Sequence, residues 1–205
     1  TRLVNEQTEI ALLLSAPVFI AMIGLAPWVI SLLYSPAFAP TVEVLRWQIL
    51  GDVLKVTSWP LGFVILAAGT GKTFFLTETL VLVLMGGLIA GLSSSVGLRI
   101  AGIAFFACYA VLLPMVYWLA RRRIGFGWTG RVVKLMLFAF ILCAAVAVTS
   151  SLYWWGAGLA VVLSASFALY TLGRLTHMSD FGGPVRRINK ATLTLIEKYK
   201  SHEWR

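Results

Sequence analysis

The sequence predicts an all-α, polytopic integral membrane protein with six transmembrane helices, and three observations predict it. Apolar runs at residues 11–34, 44–68, 74–93, 99–120, 132–150 and 153–172 fill the chain. Each approaches or exceeds the roughly 20 helical residues that cross a ~30 Å hydrocarbon core at 1.5 Å per residue. Apolar residues make up 60% of the 205 and charged residues only 12%, with a mean hydropathy of +0.89, so too little polar surface remains to keep the chain dispersed in water. Finally, the basic residues alternate between connections. Fourteen of the 17 fall on one side: Arg2, Lys72, the cluster Arg121 to Arg123 with Arg131 and Lys134, and seven from Arg174 to Arg205. Arg46 and Arg99 fall on the other, and Lys55 lies inside the second run. Because cytoplasmic loops retain Lys and Arg, both ends are expected in the cytoplasm, with the first, third and fifth connections facing outward.

The first run is preceded by Arg2 to Glu9, a polar lead-in without the short apolar core and small-residue cleavage site of a signal peptide. With no initiator Met, the sequence reads as the end of a longer protein. Trp28 near the outer end of this run, with Trp154 and Trp155, is expected in one interfacial belt, and Trp118 and Trp128 in the other. Between the second and third runs, Gly69-Thr70-Gly71-Lys72-Thr73 has the end of a phosphate-binding loop, but that motif needs a Gly at position 66, which is Leu, and a preceding strand. It is expected to be a tight cytoplasmic turn. In the third run, Gly87 and Gly91, beside Gly86 and Ala90, have the small-residue spacing that lets helices pack closely. Cys108 and Cys143 have no partner at metal or redox spacing and read as small buried apolar residues. The fifth and sixth runs are so nearly continuous that they predict a hairpin. Beyond them, Phe181-Gly182-Gly183-Pro184 interrupts the chain before Val185 to Lys200, where Ile188, Thr192, Leu195, Ile196 and Tyr199 form one stripe among basic residues, as in an amphipathic helix on the inner leaflet or a solvated tail helix. His177 and His202 stand apart from any acidic cluster. The net charge of +9 sits beside membrane spans, so its expected partner is anionic inner-leaflet lipid, not nucleic acid.

The second run carries the chemistry. Charged and polar residues extend from Arg46 through Asp52 and Lys55 to Ser58, into the middle of an otherwise apolar span. Charges at that depth cost ~2.5–3.5 kcal/mol each on the insertion scale and face a bundle interior or a water-filled path. Asp52 and Lys55, three residues apart, lie about 60° apart around a helix and can share a face. They read either as a transport site or as an ion pair that locks packing. Pro60 removes a backbone hydrogen bond one turn later. Glu78, early in the third run, is a second acid without an evident local partner.

The stretch Leu32-Leu33-Tyr34-Ser35-Pro36-Ala37-Phe38-Ala39-Pro40-Thr41-Val42-Glu43-Val44-Leu45-Arg46-Trp47-Gln48-Ile49-Leu50-Gly51, continuing through Ser58-Trp59-Pro60-Leu61-Gly62 to Ala67-Ala68-Gly69, resembles the second half of bacterial polysaccharide exporters. These are the O-antigen and lipid-linked oligosaccharide flippases of the multidrug/oligosaccharidyl-lipid/polysaccharide (MATE-like) exporter superfamily. The match is best over residues 6–75. The resemblance implies two six-helix lobes around a central cavity that works by alternating access in the bacterial inner membrane. Residues 1–120 would be the last four helices of the second lobe, 121–173 a basic cytoplasmic loop and appended hairpin, and 174–205 a basic tail, with the first lobe as a further partner of the same chain. It also implies an undecaprenyl-diphosphate-linked sugar as substrate. Arg46 and Lys55 are the substrate-binding candidates by charge and depth, and Asp52 and Glu78 the coupling or ion-pair candidates. No cofactor, metal or catalytic residue is expected. A small-molecule exporter of the same superfamily would share this architecture. A membrane-embedded ligase or polymerase would need a sizeable loop rich in His, Arg or acids, whereas the outer connections here are short and hold no His.

Overall fold

In a computed structural model, which describes residues 1–67 and 71–178, every regular element is helical. Helix α1 spans Arg2–Leu33, α2 Thr41–Ala67, α3 Gly71–Val96, α4 Ile100–Ile124, α5 Gly130–Leu152 and α6 Gly156–Met178, with short 3-10 turns at Pro36–Phe38 and Gly97–Arg99. The tail segment 185–200, residues 68–70, His202 and the side chain of His177 lie outside the described residues. The chain divides into two units, Thr1–Phe167 and Ala168–Arg205, and the described part of the second is the last turns of α6.

Five helical stretches among the described residues are long and apolar enough to cross a membrane: Arg2–Leu33, Thr41–Ala67, Gly71–Ile124, Gly130–Leu152 and Gly156–Thr176. The third contains both α3 and α4, because helical backbone continues through the connection that the hydropathy pattern leaves open. It nevertheless folds back on itself. The Cys108 thiol donates to the Val81 carbonyl at 3.6 Å, and Arg123 donates to the Thr73 hydroxyl at 3.0 Å, contacts that only an antiparallel pair can make. Gly97, with φ +69°, supplies the left-handed backbone that the reversal requires. At the other end of α4, Gly125 with φ +62° closes the helix by donating its N–H to the Arg121 carbonyl.

Helix α2 packs most extensively on α4 and also meets α1, α5 and α3. Two glycines set the α2/α4 approach. A Cβ on Gly102 would run into the Val44 carbonyl oxygen and come within 2.9 Å of Trp47 Cβ, and one on Gly51 would lie 2.6 Å from the Phe105 ring. Small residues let helix backbones touch where lipid offers no hydrophobic drive for association. Around this crossing Trp47, Phe106 and Phe140 connect α2, α4 and α5, with successive ring centroids 5.6 and 6.1 Å apart. Between α2, α3 and α4, Leu61, Ile65, Val81, Leu112 and Val116 form a buried apolar cluster that extends to Val4 and Phe126. Helix α2 runs unbroken through Pro60. In the preceding turns, the Thr57 and Ser58 hydroxyls donate to the Val53 and Lys55 carbonyls, the back-bonding by which helical Ser and Thr satisfy their own side chains.

Three expectations change. Arg2 to Glu9 is the first part of α1 and packs into the fold, with Val4, Asn5, Thr8 and Glu9 buried. These polar groups find partners: Arg2 pairs with Glu6 at 2.7 Å, Thr8 donates to the Val4 carbonyl, and Glu9 lies 4.0 Å from Arg131. Trp128 packs against Tyr117 and Phe126 with centroids 6.2 and 4.9 Å away, so it is part of an aromatic cluster and not only a belt residue, whereas Trp118 is exposed beneath Arg122 at 4.2 Å. Gly86, Gly87 and Gly91 of α3 do not mediate packing among the described residues: a Cβ on any of them would meet open space there. The only buried residues of α3 are Thr77 and Val81.

Asn5 fastens α1 to the α4/α5 connection. Its amide donates to the Gly127 carbonyl at 3.2 Å and the Thr1 carbonyl at 3.0 Å, while its Oδ1 accepts from the Thr129 N–H at 2.9 Å. Asn5→Leu keeps the branched outline of the side chain but strands two backbone groups of the connection, at about 1–3 kcal/mol for each group left buried without a partner. The expected result is a lower melting temperature in detergent, with proteolysis appearing first between α4 and α5. An unchanged melt would show that water replaces the amide without cost.

Candidate functional site

The four charged residues predicted for a site are divided by the fold into two places. Arg46 and Lys55 are nine residues apart, which at 100° per residue puts them on opposite sides of α2. Arg46 points towards α5, where its guanidinium donates to the Ser150 hydroxyl at 3.0 Å and its Nε is buried without a hydrogen-bond partner. Nearby, Arg99 pairs with Glu43. These residues belong to the end of the bundle that holds the 3-10 turns and the α5/α6 connection. Arg46 and Lys55 therefore do not form one binding pair.

Lys55 lies near the middle of α2 and points at α4. Its ammonium sits 5.3 Å from the Phe105 ring centroid, 5.4 Å from Trp59 and 5.6 Å from Tyr109. Phe105 and Tyr109 are themselves in contact, with centroids 4.8 Å apart. A cation over an aromatic face within about 6 Å is attracted by the ring quadrupole, by ~2 kcal/mol or more when desolvated, and three rings share this one. Asp52, one turn back along α2, makes no ion pair with Lys55. The two charges still lie close enough to interact, and the contacts of the ammonium itself are aromatic, because Phe105 and Tyr109 approach α2 at the level where Gly51 lets α4 come close.

Beside this enclosure a groove of about 140 Å³ opens between α2, α3 and α4, lined by Ser58, Trp59, Phe74, Thr77, Glu78 and Tyr109 among others. Helices α2 and α3 run antiparallel around residues 68–70, so Glu78 comes level with Ser58 and Phe74 with Gly62. Two of the predicted residues thus converge, Lys55 and Glu78 from either side of Trp59 and Tyr109, and Asp52 is close by. Trp59, Phe105 and Tyr109 were not singled out from the sequence. Trp59 follows Lys55 by one helical turn and was legible on that spacing, but the α4 rings depend on the tertiary crossing. Among the described residues no three of His, Cys, Asp and Glu are grouped to hold a metal ion, and Cys143 is buried within α5. No family model, curated protein or solved structure matches the chain.

Proposed function

We propose that this chain forms part of a transporter that moves a lipid-linked, anionic oligosaccharide across the bacterial inner membrane by alternating access, crossing the bilayer six times with both ends in the cytoplasm. One observation carries the reading: an ammonium at the middle of a membrane helix, Lys55, is held by aromatic rings, with no carboxylate oxygen in ion-pair contact among the described residues. Cation–π contact stabilises the charge in place yet leaves its hydrogen-bond donors available for a phosphate oxygen. An undecaprenyl-diphosphate headgroup offers such oxygens. The sequence resemblance to polysaccharide exporters supports the same substrate class, and the 14-to-2 distribution of basic residues supports the orientation. Arg46, at the other end of α2 and with one guanidinium nitrogen unpartnered, fits a second contact for the same phosphates after translocation. It is a later station on the route and not a member of the Lys55 site.

Two experiments test this. Single cysteines at Ser35 and Ser95 are expected to react with an impermeant thiol reagent applied to intact cells, while those at Thr70 and Thr129 stay protected; the opposite pattern overturns the orientation. Lys55→Ala and Arg46→Ala in the full-length protein are each expected to reduce surface glycan, and unchanged export in both removes the transport role.

A further inference from the structure

Where α3 begins and α4 ends, basic residues gather, and the fold treats them differently from those elsewhere. Arg2 pairs with Glu6, Arg99 with Glu43, and Arg131 reaches Glu9. Lys72, Arg122 and Arg123 have no carboxylate in ion-pair contact among the described residues, yet the two arginines are held in place. Arg123 spans from α4 to α3, donating to the Thr73 hydroxyl at 3.0 Å, which uses one of the five N–H donors of a guanidinium. Arg122 lies over the ring of Trp118, one turn back along α4, at 4.2 Å. Contact through the flat face of the guanidinium leaves its edge donors free. Adjacent residues of a helix diverge by about 100°, so the two guanidiniums leave α4 in different directions from one level. Lys72 is exposed next to Thr73.

Towards the middle of the two helices the surface beside these cations turns apolar. Leu76 and Leu80 follow Lys72 along α3, Trp118 and Val111 precede Arg122 along α4, and all four are exposed. Their three-, four- and seven-residue spacings keep each set on one helix face. A ligand that suits this surface has anionic groups at the helix ends and hydrocarbon at greater depth, which is the polarity of a phospholipid. Two guanidiniums anchored to different elements, with a lysine beside them, match two phosphates a few bonds apart better than one. We propose that this end of the α3/α4 pair binds a phospholipid whose two phosphates are joined through glycerol, of the cardiolipin type. One phosphate lies against Arg123 and Lys72, the other against Arg122 beside Trp118, and the acyl chains run along Leu76, Leu80 and Val111. The charge distribution of the sequence implies anionic lipid around every basic connection; the held guanidiniums single out one place and one headgroup. The site uses none of the residues of the transport reading and goes beyond it.

The test is native mass spectrometry of the full chain purified in detergent, with added cardiolipin or phosphatidylglycerol of matched acyl chains. One cardiolipin is expected to be retained at least tenfold more tightly than phosphatidylglycerol. Arg122→Gln is expected to bring the two lipids within about twofold of each other, and Trp118→Leu, which keeps every charge but releases Arg122, to reduce the preference at least threefold. Lys134→Gln removes the same charge from an exposed position of α5 and is expected to leave the preference intact. Equal retention of the two lipids by the unaltered chain overturns the proposal, as does an undiminished preference in Arg122→Gln. Equal losses from Arg122→Gln and Lys134→Gln overturn it too, because total charge and not a built site would then decide. Arg122 and Lys134 are both exposed, so neither substitution disturbs the core. Export is not measured in this assay, so its failure leaves the transport reading standing, and lost export with an intact cardiolipin preference leaves this site standing.

Discussion

Gly102→Val is expected to be among the most damaging single substitutions in the chain. The first carbon of any side chain at this position meets the Val44 carbonyl oxygen and Trp47 Cβ. Both are fixed, one by the backbone of α2 and the other by its attachment to it, so neither can swing aside as the far end of a flexible side chain does. Helix α4 must move away from α2, and the α2/α4 interface is the most extensive in the molecule. Overpacking a well-filled contact costs typically ~1–3 kcal/mol, and more where backbone has to shift; against a total stability of order 5–15 kcal/mol, that is a large fraction. The expected result is a melting temperature in detergent lowered by many degrees and a sharp fall in membrane abundance. Gly86→Val, at a position with open space around its Cβ, is expected to leave both unchanged. Equal behaviour of the two variants would show that α2 and α4 do not cross as described.

Lys55→Ala is expected to have the second large effect, on export and not on abundance. Were Lys55 and Asp52 a buried ion pair, removing the lysine would strand the aspartate at roughly 3–5 kcal/mol and the protein would be lost. With the ammonium against Phe105, Tyr109 and Trp59 and not in ion-pair contact with a carboxylate among the described residues, the alanine variant breaks no ion pair and removes only the longer-range attraction between Lys55 and Asp52. Export in the full-length protein is expected to fall at least tenfold with abundance near normal, and Asp52→Ala with Lys55→Ala is expected to add nothing to that loss. Abundance that collapses in the single variant, and returns together with export in the double, would establish a packing pair and end the transport role of Lys55.

The helices themselves were legible because apolar runs and their interruptions follow directly from the bilayer. Their ends were less so. The start of α1 at Arg2 depends on Asn5 meeting Gly127 and Thr129, more than 120 residues away, and such a partner is invisible to local pattern. Small-residue spacing was visible in α3, where a Cβ on Gly86, Gly87 or Gly91 meets nothing among the described residues. The glycines at close helix approaches, Gly51 and Gly102 between α2 and α4 and Gly24 of α1 against Ala160 of α6, are single residues without a repeating motif. At the site, the separation of Arg46 from Lys55 follows from helical periodicity alone and was available from the sequence; Glu78 comes level with Ser58 because α2 and α3 pair antiparallel. The rings of α4 could not be assigned, because nothing local fixes which face of α4 meets α2.

The position of Lys55 halfway along α2 has an electrical consequence. One elementary charge carried across the whole membrane exchanges about 2.3 kcal/mol with a potential of 100 mV, so an ammonium starting near the midplane has roughly half of that, about 1.2 kcal/mol, to gain or lose. A rearrangement of α2 that carried Lys55 from the midplane fully to the negative side would be favoured by that amount, and one that carried it fully to the positive side opposed by it. In the proposed transport cycle, the balance between two such forms would shift by up to about sevenfold per 100 mV, so the membrane potential would act on the cycle without any bound coupling ion.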